Sequence, residues 1–212
     1  MFYYVGKKAI DVVGSIILLI LFSPVILITT VAIKLTSPGP ILADNPKRVG
    51  KGGRLFRHYK FRSMIVNAHK LIRTDSKFKK LYSQYKRSNY KLVQDPRVTP
   101  VGRFIRKYSI DEVPQLVNVL KDEMSIVGPR PYFPDELEEQ QGRYPQTKEL
   151  VKEMLTVKPG ITGYWQVSGR SEVNFDKRIE MDAYYARKRS LLLDILILLK
   201  TPWAMISGRG AV

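Results

Sequence analysis

Two adjacent carboxylates, Asp111 and Glu112, stand in a stretch that otherwise gathers cations. Arg103, Arg106 and Lys107 precede them closely, and the stiff segment Gly128-Pro129-Arg130-Pro131 follows. Such a set suits chemistry on a phosphate. One carboxylate can hold a divalent metal together with substrate phosphate oxygens, since Mg²⁺ is usually bound through one or two carboxylates. The other can attack phosphorus or move a proton. The neighbouring cations are expected to depress both carboxyl pKa values and keep a nucleophile ionised at neutral pH. The same residues also read as a capped helix start, with Ser109 as N-cap and both acids in the first turn, where the helix dipole favours them. The readings are compatible, because a helix N-terminus is also an anion site.

Other segments carry groups that could meet a phosphorylated ligand. In K-F-R-S-M (60–64), Lys60 and Arg62 share one face if the segment is a strand, and could grip a diphosphate. A solvated strand face is the plainer alternative. Pro129 and Pro131 fix the backbone around Arg130, which either aims a guanidinium at low entropic cost or makes a rigid loop. The segment 158–170, K-P-G-I-T-G-Y-W-Q-V-S-G-R, is a glycine-dense loop with Trp165 and Arg170 that could close over a nucleotide or sugar.

The composition narrows the partners. The chain has 212 residues, 36 Lys and Arg against 19 Asp and Glu, and a formal charge of +17. That excess points to nucleic acid, an anionic lipid surface or phosphorylated substrates. With no Cys there is neither a disulfide framework nor a thiolate metal site. Two His, His58 and His69, are too few for a His-rich zinc site, so a catalytic metal should be an oxygen-bound one such as Mg²⁺. Residues 46–94 hold fifteen Lys and Arg against one acid, Asp75, interleaved with Tyr82, Tyr85 and Tyr90. This pattern fits nucleic acid or a lipid interface. A neighbouring hydrophobic run makes lipid the better reading.

That run, Val12 to Ile33, carries no charge and would reach roughly 30 Å as a helix, enough to span a bilayer. A signal peptide fits less well, because no A-x-A-like site follows. Pro24 removes a helix hydrogen bond and clashes with the Ile20 carbonyl, so a break is expected at Ser23-Pro24. Ser23 is placed to satisfy a freed backbone group. Basic residues flank both ends, Lys7 and Lys8 before and Lys34, Lys47 and Arg48 after. The positive-inside rule would hold both flanks on one side, as a re-entrant hairpin broken at Ser23-Pro24 allows, and the length equally allows a straight span, so both stay open at this point. Beyond it we expect a strand at 41–43, a hairpin turn at 50–53 and a strand at 55–61. Helices are expected at 103–107, 113–120, 134–152, 175–185 and 191–199, the last either interfacial or core.

The strings K-K-A-I-D (7–11) before a Ser-Pro-broken apolar run, K-F-R-S-M, G-R-F-I-R-K-Y-S-I-D-E-V-P-Q-L (102–116), G-P-R-P, 158–170 and the terminal S-G-R-G-A-V resemble, in this order, the bacterial sugar transferase family, the monotopic phosphoglycosyl transferases. The resemblance covers nearly the whole chain. It implies an α+β fold: a mainly helical cytoplasmic catalytic domain (36–212) with a short β-hairpin, anchored by a re-entrant helix-break-helix (1–35) and by amphipathic interfacial helices. Lys7, Asp11, Ser23 and Pro24 would set the membrane topology. The location implied is monotopic, on the cytoplasmic face of the bacterial inner membrane.

The resemblance also implies transfer of a sugar 1-phosphate from a UDP-sugar to undecaprenyl phosphate, with Mg²⁺ as cofactor. Asp111 would be the nucleophile that forms a covalent phosphosugar adduct. Glu112 would help hold Mg²⁺ or manage a proton. Lys60, Arg62, Arg103, Arg130 and Arg170 would stabilise phosphate charge, and the turn of Pro129 and Pro131 would meet the uridine side. Asp176 and Asp182 are weaker candidates for metal or substrate contacts. The partners implied are the donor, the lipid acceptor and an anionic phospholipid membrane, with no nucleic acid; a homodimer is compatible. The 70–91 insert is similar to that of larger hexose-1-phosphate transferases that start capsule, exopolysaccharide or O-antigen synthesis, which favours galactose or glucose. The additional N-terminal helices of those enzymes are absent from this sequence, as in either a natural short form or a trimmed chain. The rival from another class is a non-catalytic basic membrane adaptor. It explains the charge and the anchor, but not the carboxylates within a cationic stretch.

Overall fold

The computed structural model describes residues 2–87, 90, 92, 94–168 and 173–206. Helix α1 (Phe2–Leu21) and helix α2 (Ser23–Thr36) meet at a break with a bend of 60°. The Ser23 hydroxyl donates to the Ile20 carbonyl at 2.7 Å. That carbonyl is the one whose helical donor Pro24 lacks, so the hydroxyl replaces the missing N–H. Among the described residues no single helix is long and apolar enough to cross a membrane, whereas the bent pair together is. The pair is amphipathic in an inverted sense. Its buried residues are Asp11, Ser15, Thr29 and Ile33, while Val13, Ile17, Ile20, Leu27 and Leu35 are exposed.

The polar face of α1 docks on the domain. Asp11 Oδ1 accepts from the Ser125 hydroxyl and the Ile126 N–H, both at 2.9 Å. Lys7 Nζ donates to the Val127 carbonyl at 2.8 Å and lies 3.1 Å from Asp194. Lys7 and Asp11, expected to mark topology, are thus engaged inside the protein.

Strands β1 (Arg48–Val49) and β2 (Leu55–Phe56) form the expected antiparallel hairpin, with Gly52 and Gly53 at positive φ in its turn. The longer strand expected to Phe61 does not form; only an isolated bridge joins Leu42 to Phe61. The reason is local competition. The Asn118 side chain takes the Tyr59 N–H at 3.0 Å and the Arg57 carbonyl at 2.7 Å, where a partner strand would have been.

The insert folds as α3 (Ala68–Thr74) and α4 (Lys79–Arg87). Then follow α5 (Pro100–Lys107), α6 (Gln115–Leu120) and β3 (Ser125–Val127), which pairs in parallel with β4 (Gly160–Thr162). Helices α7 (Pro134–Arg143) and α8 (Lys148–Met154) precede β4. Helices α9 (Tyr164–Ser168), α10 (Phe175–Lys188) and α11 (Leu191–Ile206) complete a mainly helical α+β fold. One core cluster joins Tyr132, Leu137, Val151, Met154, Phe175 and Ile179. A second packs Met124, Ile126 and Val127 of the β3 region against Tyr185 and Ile197. A third sets Ile33 at the end of α2 against Phe61 and Ile105. Helix α11 combines the two roles left open for it: Asp194 and Ile197 are buried, whereas Leu192, Leu199 and Trp203 are exposed.

Candidate active site

Asp111 and Glu112 lie in a single 3-10 turn, Ile110–Glu112, between α5 and α6. Ser109 does not cap a helix there: it has φ 55°, and its side chain makes no capping bond. The chain reverses through Ser109 as α5 ends, so the acids point to a cavity rather than fill a first helical turn. Helix α5 is pinned upstream. Thr99 Oγ1 accepts the Gly102 N–H at 2.9 Å, and a Cβ on Gly102 would meet the Ser63 carbonyl oxygen at 1.8 Å. Only glycine permits that approach, which lays α5 along the K-F-R-S-M segment. The Phe61 N–H donates to the Asp111 carbonyl at 2.9 Å. Two motifs distant in sequence are thereby bonded backbone to backbone.

This bond delivers Lys60 to both acids: its Nζ is 2.6 Å from Glu112 Oε1 and 3.5 Å from Asp111 Oδ2. The two carboxyls respond differently, contrary to the expectation that both fall. Burial raises the Asp111 pKa above the ordinary carboxylate value, and the Glu112 charge adds to it; Lys60 and Arg106 oppose this without cancelling it. For Glu112 burial pushes upward too, but Lys60, Arg130 and Arg48 outweigh it and hold the carboxyl below its ordinary value. Environments that drive neighbouring carboxyls apart assign them different tasks.

The pair opens on a cavity of about 630 Å³, within the range of pockets that bury small ligands. Its polar wall includes Lys60, Arg106, Arg130, Arg48 and Glu136. Its lining also includes Leu18 and Phe22 at the α1–α2 break, with Leu198 and Pro202 of α11. A polar centre is thus continuous with the bent helix pair. Among the described residues no three His, Asp or Glu side chains converge as a metal cage. Asp111 and Glu112 nevertheless fit Mg²⁺, which takes one or two carboxylates and completes its shell from water and substrate phosphate. The Glu112 side chain is 35% exposed and so remains accessible.

The other expected residues divide. Arg130 reaches the cavity as foreseen, and the buried Pro129 and Pro131 hold its backbone, with the Pro129 carbonyl accepting from the Gly160 N–H at 2.8 Å. The Arg130 guanidinium carbon is 5.8 Å from each of the Tyr132 and Trp165 ring centres. Asp182, fully buried, accepts the Arg130 N–H at 3.2 Å, and burial raises its carboxyl pKa well above the ordinary value. It supports Arg130 rather than joining Asp111. Asp176 is half-buried in the first turn of α10 and is not part of the cavity wall.

Arg62 lines the cavity, but three of its guanidinium nitrogens are engaged: Nε donates to the Pro40 carbonyl at 2.6 Å, and the other two to Ser37 at 2.6 and 2.8 Å. It therefore clamps the exit of α2 and does not share a strand face with Lys60. Arg103 is exposed on α5 and outside the cavity wall, whereas Arg106, one turn later, lines it. Arg170 lies outside the described residues. The loop expected at 158–170 contains β4 and α9, and Trp165 is buried with Arg130 on its ring. Sequence reasoning assigned no site role to Arg48, Glu136 or Tyr85 and named Arg106 only among the cations near the carboxylates; all four line the cavity. Arg48 read only as a hairpin flank.

A family model described as bacterial sugar transferase matches residues 2–208. The chain is 43% identical over 205 residues to the undecaprenyl-phosphate galactose phosphotransferase of Salmonella typhimurium, covering 97% of this chain and 41% of that protein. It is 39% identical over 207 residues to the exopolysaccharide production protein ExoY of Sinorhizobium fredii, covering 98% of this chain and 88% of that protein. It is also 39% identical over 210 residues to the undecaprenyl-phosphate glucose phosphotransferase of Komagataeibacter xylinus, covering 97% of this chain and 36% of that protein. The chain thus spans less than half the length of the two phosphotransferases and most of the length of ExoY.

Proposed function

The chain belongs to the bacterial sugar transferase family, and on that premise we propose that it transfers a sugar 1-phosphate from a UDP-sugar to undecaprenyl phosphate, releasing UMP. The observation that carries this reading is the Asp111–Glu112 pair held on Lys60 at the wall of a cavity that apolar residues of the bent helix pair and of α11 also line. A diphosphate donor fits the cationic wall, and a lipid phosphate fits the junction with the helix pair.

Asp111 attacks the phosphorus next to the sugar. The bond from that phosphorus to the bridging oxygen breaks, and UMP leaves with the oxygen and its electron pair. An oxygen of undecaprenyl phosphate then attacks the same phosphorus, frees Asp111 and yields the lipid diphosphosugar. Lys60 and Arg130 stabilise charge on the phosphates as it moves. Mg²⁺ held by Asp111 and Glu112 would offset the charge of the diphosphate. The donor sugar is galactose or glucose, matching two of the relatives' names. The product would begin a capsule, exopolysaccharide or O-antigen glycan. The helix pair enters and leaves the inner membrane on its cytoplasmic face, a reading supported by the 60° bend and the exposed apolar residues of both helices.

The test is UMP release from a panel of UDP-sugars with Mg²⁺ and undecaprenyl phosphate in nanodiscs. Release with one donor, abolished by EDTA and lowered by about 10³-fold or more in Asp111→Asn, is expected. With donor alone, the peptide containing Asp111 should gain the mass of a phosphosugar. Turnover by Asp111→Asn at the wild-type rate would remove Asp111 as the nucleophile.

A further inference from the structure

Helix α4 reaches the cavity without a core to hold it there. None of its residues is buried, and it joins none of the three core clusters. Yet Tyr85 of α4 and the buried Tyr90 just beyond it line the same cavity as Asp111 and Lys60. An element with so little buried apolar surface keeps its place through specific polar contacts. Those contacts converge on Glu139 of α7. Its Oε2 accepts from the Tyr90 hydroxyl at 2.5 Å and pairs with Lys86 Nζ at 2.8 Å. Its Oε1 accepts from Arg143, one turn along α7, at 2.6 Å, and Arg143 also donates to the Lys86 carbonyl at 3.4 Å. The last turn of α4 is thus gripped by both a side-chain ammonium and a backbone carbonyl.

The two tyrosines form one unit. The Tyr90 N–H donates to the Tyr85 carbonyl at 2.8 Å, and the rings meet edge to face with centres 5.2 Å apart. Tyr90 has φ 61°, a conformation that a non-glycine residue keeps where its surroundings impose it. The root of the insert is fixed separately. The buried Arg97 donates to Asp95 at 2.5 and 2.8 Å and to the Ala68 carbonyl at 3.0 Å, and lies 5.7 Å from the Tyr85 ring centre. Glu139 itself is outside the cavity wall. We infer that Glu139 is a positioning residue: it latches α4 to α7, so that Tyr85 and Tyr90 stand as an aromatic wall against which the uncharged part of the donor packs. Ring faces suit that part, the uracil or the C–H face of the sugar, whereas the cations suit the diphosphate. This assignment rests on the phosphosugar-transfer reading above.

The experiment measures phosphosugar transfer to undecaprenyl phosphate in nanodiscs, and its inhibition by pyrophosphate and by UMP in excess Mg²⁺, for wild type, Glu139→Ala and Glu139→Gln. Glu139→Ala should lower kcat/KM for the donor roughly 10-fold, mainly through KM. Pyrophosphate inhibition should not change, because pyrophosphate needs the cations alone. Glu139→Gln, which keeps an oxygen for the Tyr90 hydroxyl, should lose less. In a Tyr85→Leu/Tyr90→Leu background, Glu139→Ala should cost nothing further. Weaker UMP inhibition in Glu139→Ala would set the wall against the uridine and unchanged UMP inhibition against the sugar; either supports the role. An unchanged kcat/KM, an equal weakening of pyrophosphate inhibition, or an additive loss in the double-variant background would overturn it while leaving the transferase reading standing. Absence of transfer by the wild type from every UDP-sugar would remove that reading and this inference with it. If Glu139→Ala does not fold, hydrogen exchange of the wild-type protein decides. The amides of 79–87 should gain protection on addition of the donor, and unchanged exchange would refute the contact.

Discussion

The helix pair α1–α2 and the carboxylate cavity depart from ordinary protein anatomy in opposite directions. The pair turns Asp11, Ser15 and Thr29 inward and leaves Ile17, Ile20, Leu27 and Leu35 exposed. The cavity encloses Asp111, Glu112, Lys60, Arg48 and Arg130, charges that soluble domains usually keep in water. Each departure is costly for an isolated molecule and becomes favourable once the missing environment is supplied. Under the function proposed above, that environment is hydrocarbon for the helices and a phosphate-bearing ligand for the cavity.

Three substitutions or conditions sharpen this contrast. The largest effect is expected at the joint between the regions. Asp11→Ala would leave the Ser125 hydroxyl and Ile126 N–H without their acceptor, a loss of about 3 kcal/mol in thermal or denaturant unfolding in detergent. Asp11→Asn, which retains an acceptor oxygen, should recover much of it. An unchanged melting temperature in Asp11→Ala would mean that α1 is not docked through this carboxylate.

Next is Ile17→Ser on the outward face of α1, where the side chain is 57% exposed. Folding stability in detergent should change little, but partition into vesicles should weaken by about 2 kcal/mol, the transfer free energy of an aliphatic side chain. Equal effects on folding and on vesicle binding would make this face a protein contact instead.

The smallest effect concerns pH. Burial lowers the His69 pKa to about 4, with Arg73 and Arg48 contributing, and burial holds His58 well below the usual histidine value. Between pH 6.5 and about 4 the unfolded chain binds more protons than the folded one, so stability rises with pH and is lost on acidification through that window. For the half-buried His69 this amounts to about 1 kcal/mol at pH 5 after allowance for solvent screening. His69→Gln should flatten the dependence of melting temperature on pH between 7 and 5; a curve parallel to wild type would show that His69 is not held neutral.

The features legible in the sequence were those set by local chemistry. Pro24 dictated a break, and Ser23 satisfied the exposed carbonyl as its position suggested. The adjacent acids singled out among cations lie at the cavity, and so does Arg130 between its two buried prolines. Long-range placement was not legible. Lys60 and Arg62 are two residues apart, yet one reaches Glu112 while the other closes on Ser37 and Pro40, because the strand that would have aligned them gives way to Asn118. Arg103 and Arg106 are chemically identical and close in sequence, and only the packing of α5 selects between them. The divergent pKa values of Asp111 and Glu112 likewise depend on burial and on Lys60, and for Glu112 also on Arg130 and Arg48, groups distant in sequence.

Lys7 and Asp11 fasten α1 to β3, and β3 runs directly into the segment that carries Arg130. In a bilayer this makes the anchor a depth gauge. On the membrane reading proposed above, these bonds would set the height of the cavity above the hydrocarbon. A lipid phosphate confined to the headgroup plane would meet the site at a constant level, so that the encounter becomes a search in two dimensions instead of three.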